Sequence, residues 1–239
     1  MKKCFILFLF LFVTIYFSFS QDELVSAKEL LQKLSVSFKS NVKDLEAEIK
    51  WIQDKETQKG TLFYKNPQKI RINFTDPSNQ VICSNGYMLW VYIDYLNLIL
   101  KQEILQKEKT KTEEGKSQTV INPLLINPVG YDRFLTEYAI EYNETKTQVD
   151  YKDGSKVYQF KLFRWKSSKG GFNTILLTIS ATDGLISRVE GITATYKRIT
   201  LELDNIKLNK NISDITFNYE PPAHANTVDN FITNQGDGQ

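Results

Sequence analysis

Histidine is almost missing from this chain of 239 residues: His224, in a proline-rich stretch near the end, is the one copy. Cysteine is nearly as scarce, with Cys4 and Cys83 only. A zinc site of the Cys/His kind and a Ser–His or Cys–His nucleophile pair therefore lack their parts. The phosphate loop, the dinucleotide fingerprint and the metal-binding helix motif do not occur either. Net charge is also lacking, with 30 Lys and Arg against 28 Asp and Glu. No basic field exists to gather nucleic acid. Carboxylates are plentiful, Asp94 and Glu103 among them, but nothing sets a glycosidase-type pair apart from ordinary surface acids. No catalytic residue, metal site or cofactor is assigned, and the chain does not read as an enzyme.

What is present begins with a leader. Lys2 and Lys3 precede a nearly unbroken apolar run from Phe5 to Phe17, and Ser18-Phe19-Ser20 places small residues where a signal peptidase reads. The run is shorter than the roughly 20 residues a spanning helix needs. Cleavage after Ser20 and an exported, soluble product are expected. Cys4 stands at the front of the run, unlike the acylated cysteine of a lipoprotein. Loss of the two lysines leaves 28 basic against 28 acidic residues. Cys83 is then the last cysteine, without a disulfide partner, and is expected as a small apolar residue in a strand.

A helix is expected over 24–40. Ser26 followed by Glu29 is a capping box, with Val25 and Leu30 placed for a hydrophobic staple. Ala27, Leu30, Leu31, Leu34 and Phe38 share one face. From Leu45 the period changes to two. Leu45, Ala47, Ile49 and Trp51 alternate with charged residues; Leu62 and Tyr64, then Ile70, Ile72 and Phe74, continue the pattern. Pro67 and Pro77 punctuate it. Val81–Ser84, the Asn85-Gly86 turn, Tyr87–Ile93 and Leu96–Lys101 complete a meander. Residues 106–119 read as a charged loop. Asn122-Pro123 opens a short helix through Leu124, Leu125 and Ile126 that Pro128 stops, and another short helix is expected near 132–138. Further strands are expected at 139–143, 147–152, 157–164, 174–180, 186–193, 197–207 and 215–219. The tail from Asn230 is polar.

About a dozen antiparallel strands in one domain over 21–229 make a sheet wide enough to curl. The fold expected is mainly β, an incomplete, strongly curved barrel covered by a few short helices. Trp51, Tyr64, Ile70, Ile72, Phe74, Met88, Trp90 and Tyr92 alternate along four strands and are read as one wall. A closed core and an apolar ligand cavity use the same residue types; the few short covers favour a cavity that opens.

Gly60-Thr-Leu-Phe-Tyr-Lys-Asn-Pro67 with Lys69-Ile-Arg-Ile72 and Pro77 resembles the first motif of the periplasmic lipoprotein carrier family, LolA. Gln80-Val-Ile, Ser84-Asn-Gly86 and Leu89-Trp-Val-Tyr92 are similar to its second. Asn122-Pro-Leu-Leu125 resembles its lid helix, and Asp214-Ile-Thr-Phe217 with Pro221-Pro222 and Val228-Asp229 its closing motif. The resemblance implies a half-barrel with a lid over an apolar cavity, and a periplasmic chaperone that shields the acyl chains of lipid-modified proteins. An inner-membrane transporter would load it and an outer-membrane acceptor would relieve it; a monomer suffices. The implied cavity walls are Ile49, Trp51, Leu62, Tyr64, Ile70, Ile72, Phe74, Trp90 and Tyr92, with Leu31, Leu34, Leu124 and Leu125 from the covers. Where the family often has arginine before the proline of the first motif, this chain has Asn66, so a lid latch is absent or built differently. Arg71 alternates away from the cavity and is expected in solvent. A lipid- or glycolipid-binding or sensing module of the same shape is the main alternative. Ile70→Glu is expected to spare the fold and impair cargo transfer, because it sets a charge among acyl chains.

Overall fold

The computed structural model describes residues 25–104, 128–165 and 171–230. The leader, the Asn122–Leu125 lid motif and the tail from 231 lie outside them. Helix α1 (Ala27–Asn41) starts where the capping box predicts: Glu29 N–H donates to Ser26 Oγ at 3.2 Å and Ser26 N–H to Glu29 Oε2 at 3.0 Å. Two orphan donors are satisfied reciprocally. The helix ends at Val42, which turns extended.

Six strands follow: β1 (Asp44–Gln53), β2 (Glu56–Lys65), β3 (Lys69–Asp76), β4 (Ser78–Ser84), β5 (Met88–Ile93) and β6 (Leu98–Glu103). Then come α2 (Pro128–Glu137), β7 (Tyr138–Tyr142), β8 (Val149–Asp150), β9 (Lys156–Arg164), β10 (Phe172–Ser180), β11 (Ile186–Thr193), β12 (Arg198–Leu208) and β13 (Asn226–Asp229). All join one sheet of order β13-β6-β5-β4-β3-β2-β1-β12-β11-β10-β9-β7, with β8 beside β9. Every pairing is antiparallel except β13 on β6. The mainly β fold with an open, curled sheet is the one the alternation predicts.

Four local expectations change. The predicted strand 215–219 is a 3-10 turn over Asp214–Phe217 and irregular chain beyond it. The run 147–152 pairs only at Val149–Asp150. The helix expected near 132–138 begins four residues earlier, at Pro128. At Asn85-Gly86 only Gly86 has positive φ; Asn85 instead accepts from Tyr87 N–H and Met88 N–H through Oδ1, at 2.9 and 3.0 Å, which makes a longer loop. The strand β13 has too little apolar alternation to be foreseen: all four of its residues are exposed. Among the described residues no helix is long and apolar enough to cross a membrane.

Both helices lie over one face of the sheet. Leu31, Leu34 and Phe38 of α1 and Tyr131 and Phe134 of α2 join the main core. The Phe38 ring sits 6.0 Å from that of Tyr64 and 5.9 Å from that of Tyr131. Tyr131 Oη donates to the Gly184 carbonyl in the β10–β11 turn. That turn presses against α1. A Cβ on Gly184 would lie 2.0 Å from Leu34 O, and the residue has a φ of +72°.

Gly184→Ala is therefore expected to cost roughly 2–4 kcal/mol, through backbone strain and the collision with α1. Gly154→Ala is the control: it too has positive φ, but open space around the added methyl. It should cost only about 1 kcal/mol. Urea midpoints of the two variants check the difference; equal shifts would mean the helix–turn contact carries no weight.

Candidate functional site

The register decides which side chains share a face. Leu45 pairs with Tyr64, Tyr64 with Ile70, Ile70 with Ser84 and Ser84 with Leu89. One step along, Ala47 pairs with Leu62, Leu62 with Ile72, Ile72 with Ile82 and Ile82 with Val91. These rows face the helices. Ile49, Leu62, Tyr64, Ile70, Ile72 and Phe74 are buried together with Leu31 and Leu34, and Trp51 packs half-buried at their margin. Burial alone raises the Tyr64 phenol far above its usual range. Leu124 and Leu125 lie outside the described residues.

Trp90 and Tyr92 do not belong to this wall. Arg71 pairs with Cys83 and Cys83 with Trp90, so the β5 aromatics share the back face of the sheet with Phe63, Arg71 and Cys83. Reading the bulkiest β5 residues as inward is the error. The smaller Leu89 and Val91 face the helices, and the aromatics are covered from behind by a segment that reads as a plain strand in the sequence. Ile70 is 3% exposed within the main core, which also revises the expectation for Ile70→Glu. A buried carboxylate there would cost stability as well as transfer.

The covering segment runs over 209–219. Asp44, itself buried, accepts from Lys210 N–H at 2.7 Å and Asn211 N–H at 3.1 Å. Lys65 donates to the Ile212 carbonyl at 2.9 Å, and Lys65 and Lys69 both pair with Asp214, at 2.7 and 3.0 Å. Hydrogen bonds from Lys65 and then Lys69 hold the Asp214 carboxyl below its usual range. Arg71 donates from Nε to Asn73 Oδ1 at 2.8 Å and from Nη1 to the Thr216 carbonyl at 3.0 Å, and lies 5.8 Å from the centre of the Tyr219 ring. The ring of Tyr219 reaches that of Trp90 at 6.4 Å, and Phe217 is buried. Arg71 is thus a clamp on the closing segment, not the solvent-facing residue its alternation suggests.

Beside this clamp, Lys43, Asp44, Lys65, Asn66, Pro67 and Asn211 line an open cleft of about 510 Å³. On the helix side a different contact ties a cover to the sheet. Glu137, at the end of α2, takes Arg133 Nε at 2.9 Å and Arg164 Nη2, from β9, at 3.0 Å. Hydrogen bonds from Arg133 and from Arg164 outweigh burial and depress the Glu137 pKa. Among the described residues no group of three or more His, Cys, Asp and Glu is placed to hold a metal ion.

The sequence matches the family of the outer membrane lipoprotein carrier protein LolA over residues 29–220. The chain belongs to the LolA family. Curated relatives named outer-membrane lipoprotein carrier protein agree along nearly the whole length. The one from Idiomarina loihiensis is 23% identical over 210 residues, covering 87% of each chain. The one from Legionella pneumophila is 24% identical over 230 residues, covering 95% of this chain and 99% of its own. Among solved structures, an uncharacterised conserved protein of Thermus thermophilus superposes with a TM-score of 0.54 at 12% identity, over 83% of this chain and 98% of that one. MucB in its complex with MucA from Pseudomonas aeruginosa gives 0.52 at 7% identity, over 84% of this chain and 63% of that one. These likenesses are of fold.

Seen on the structure, the LolA motifs are two sides of one ribbon. In β2 and β3 the even positions Leu62, Tyr64, Ile70 and Ile72 enter the core, while Lys65, Lys69 and Arg71 hold the closing motif at the back. Gly60 opens the first motif because the β2–β3 pair is bulged there: a Cβ would lie 2.4 Å from Asn73 O. Cys83 reports on the clamp. Its Sγ lies 3.5 Å from the Phe217 carbonyl, and burial pushes the thiol up to about 11, against the opposing pull of Arg71. Native Cys83 should resist alkylation at pH 8. Arg71→Ala should raise the alkylation rate roughly tenfold by loosening the segment, although loss of the cation by itself raises the thiol pKa and would slow the reaction. A slower rate, the effect of the lost charge alone, would show that Arg71 does not hold the segment.

Proposed function

We propose that this LolA-family protein is a periplasmic chaperone that shields the acyl chains of lipoproteins released from the inner membrane and hands them on at the outer membrane. A membrane transporter supplies the loading energy, and the chain itself works as a monomer without covalent chemistry. The observation that carries the reading is the wall formed by Ile49, Leu62, Tyr64, Ile70, Ile72 and Phe74. It is continuous, apolar and covered by helices rather than by a second sheet. Helices that pack through a few side chains can be displaced as units, whereas strands in a paired sheet cannot.

The magnitudes agree. Leu31, Leu34 and Phe38 are the large apolar side chains that α1 buries. At about 1.5–3 kcal/mol each, they contribute on the order of 5–9 kcal/mol. An acyl chain burying about ten methylenes would contribute on the order of 8 kcal/mol. The exchange of helix for guest is then close to balanced, which suits a carrier that must both load and release. Acyl chains among these side chains would also explain why the wall contains no ionised group.

The test uses spheroplasts incubated with the purified mature chain. Lipid-modified proteins should appear in the soluble fraction as one-to-one complexes, above a buffer control. A disulfide between Ser37→Cys and Thr182→Cys, where Ser37 Oγ lies 3.3 Å from the Thr182 carbonyl, should abolish release while oxidised and restore it on reduction. Release unaffected by the closed disulfide would rule out displacement of α1. No release by the wild-type chain would remove the carrier reading, and free lipid in the purified protein would then favour a lipid-binding module.

A further inference from the structure

The sheet has two ends, and its exposed apolar residues are distributed unevenly between them. Because the strands alternate in direction, the β1–β2, β3–β4, β5–β6 and β11–β12 connections and the C-terminal end of β9 lie at one end. There Tyr95 and Leu96 are exposed between β5 and β6, Trp165 follows β9 at 66% exposure, and Tyr196 stands between β11 and β12 at 88%. At the other end the exposed large apolar side chains of the described residues are Tyr87, between β4 and β5, and Ile215, in the 3-10 turn after β12. Tyr196 is held outward: its own φ is +61°, its N–H donates to the Thr193 carbonyl at 3.0 Å, and Thr193 N–H donates to the Lys197 carbonyl at 2.9 Å.

Charge is uneven in the same place. Over 160–165, 171–173 and 191–201 the described residues include Lys161, Arg164, Lys197 and Arg198 and no Asp or Glu, whereas the β1–β2 and β5–β6 connections carry Asp54, Glu56 and Asp94, so the excess is confined to the corner around Trp165 and Tyr196. In a chain that balances its charges overall, this is a local excess. Arg164 is engaged by Glu137 and Arg198 by Glu190, at 3.0 and 2.5 Å. Lys161 lies 4.8 Å from the centre of the Phe163 ring, and Lys197 follows Tyr196 at the tip. The start of β10 and the β11–β12 turn are neighbours, since Phe172 pairs with Thr193.

Tryptophan and tyrosine with lysine beside them suit the headgroup layer of a bilayer: the rings bury their faces, their polar edges stay wet, and the ammonium groups meet lipid phosphates. We propose that this rim, built on Trp165, Tyr196 and Lys197, docks the protein transiently on an anionic membrane surface. It goes beyond the carrier reading and needs no acyl cargo, so the two fail separately.

The test is flotation of the purified mature chain with vesicles of phosphatidylcholine alone and of phosphatidylcholine with phosphatidylglycerol at 3:1. Binding to the anionic vesicles only, weakened several-fold by 0.5 M salt, is the expected result. Lys197→Gln should weaken it about fivefold, and Trp165→Ala with Tyr196→Ala by tenfold or more. Both aromatics are largely exposed, so circular dichroism should show the variants folded. Quenching of tryptophan emission by brominated lipid should occur in the wild type and be lost in Trp165→Phe, which leaves Trp51 and Trp90 in place. No binding to anionic vesicles, or binding indifferent to all three substitutions, overturns the proposal. Binding to spheroplasts that needs Trp165 while pure lipid vesicles fail also overturns it, and assigns the rim to a membrane protein.

Discussion

A sheet this wide curls, and a curled sheet with an apolar inner face must be covered. That constraint is met here by Phe38 of α1, which lies between Tyr64 of the sheet and Tyr131 of α2. Most of the rest follows from it. α1 has to start at a firm cap, because its position along the trough sets where Leu31, Leu34 and Phe38 fall. The β10–β11 turn has to approach Leu34 closely, which requires glycine at 184. Tyr131 has to carry its hydroxyl into the core, and Gly184 supplies the carbonyl that satisfies it.

The back of the sheet solves a separate problem by other means. Phe63 of β2 and the alternate residues of β4 and β5 leave apolar side chains on the back face as well, so the half of the sheet holding the LolA motifs needs a second cover. Residues 209–219 provide it through backbone groups rather than through a helix. Five side chains reach carbonyls, amides or a carboxylate on that segment: Asp44, Lys65, Lys69, Arg71 and Cys83. In this chain the first and closing motifs are joined in this way. The cations of the first motif point away from the core, and their partners are the closing motif.

The architecture was legible from alternation, because a period of two with punctuating Pro and Gly leaves little besides an antiparallel sheet. The helix start was legible for the same kind of reason, since Ser26 and Glu29 satisfy each other locally. The core-facing members of β1 and β3 were legible because every second residue there is apolar and its neighbours are mostly charged or polar. β5 has no such contrast. Met88, Trp90 and Tyr92 on one face and Leu89, Val91 and Ile93 on the other are all apolar, so size suggested a direction that register contradicts. Only pairing with Cys83, and hence with Arg71, reveals it. The 209–219 cover was hidden because its bonds are long-range and made largely by its backbone, which leaves no trace in side-chain pattern. The Glu137–Arg164 pair was hidden for a related reason: its partners are 27 positions apart.

That pair bears on Asn66. The first motif lacks the arginine that resemblance leads one to expect, yet a basic residue still holds a helix to the sheet, from β9 and through α2. Glu137 and its two arginines are partly exposed, so each contact contributes about 1 kcal/mol or less once solvent screening is allowed for. This is small beside the several kcal/mol that α1 gains by burying its apolar face. In the carrier proposed here, ion pairs of that size would set the orientation in which α2 closes and would resist opening only slightly. The barrier to loading would lie in uncovering the wall, and a guest that covers it again removes most of that cost.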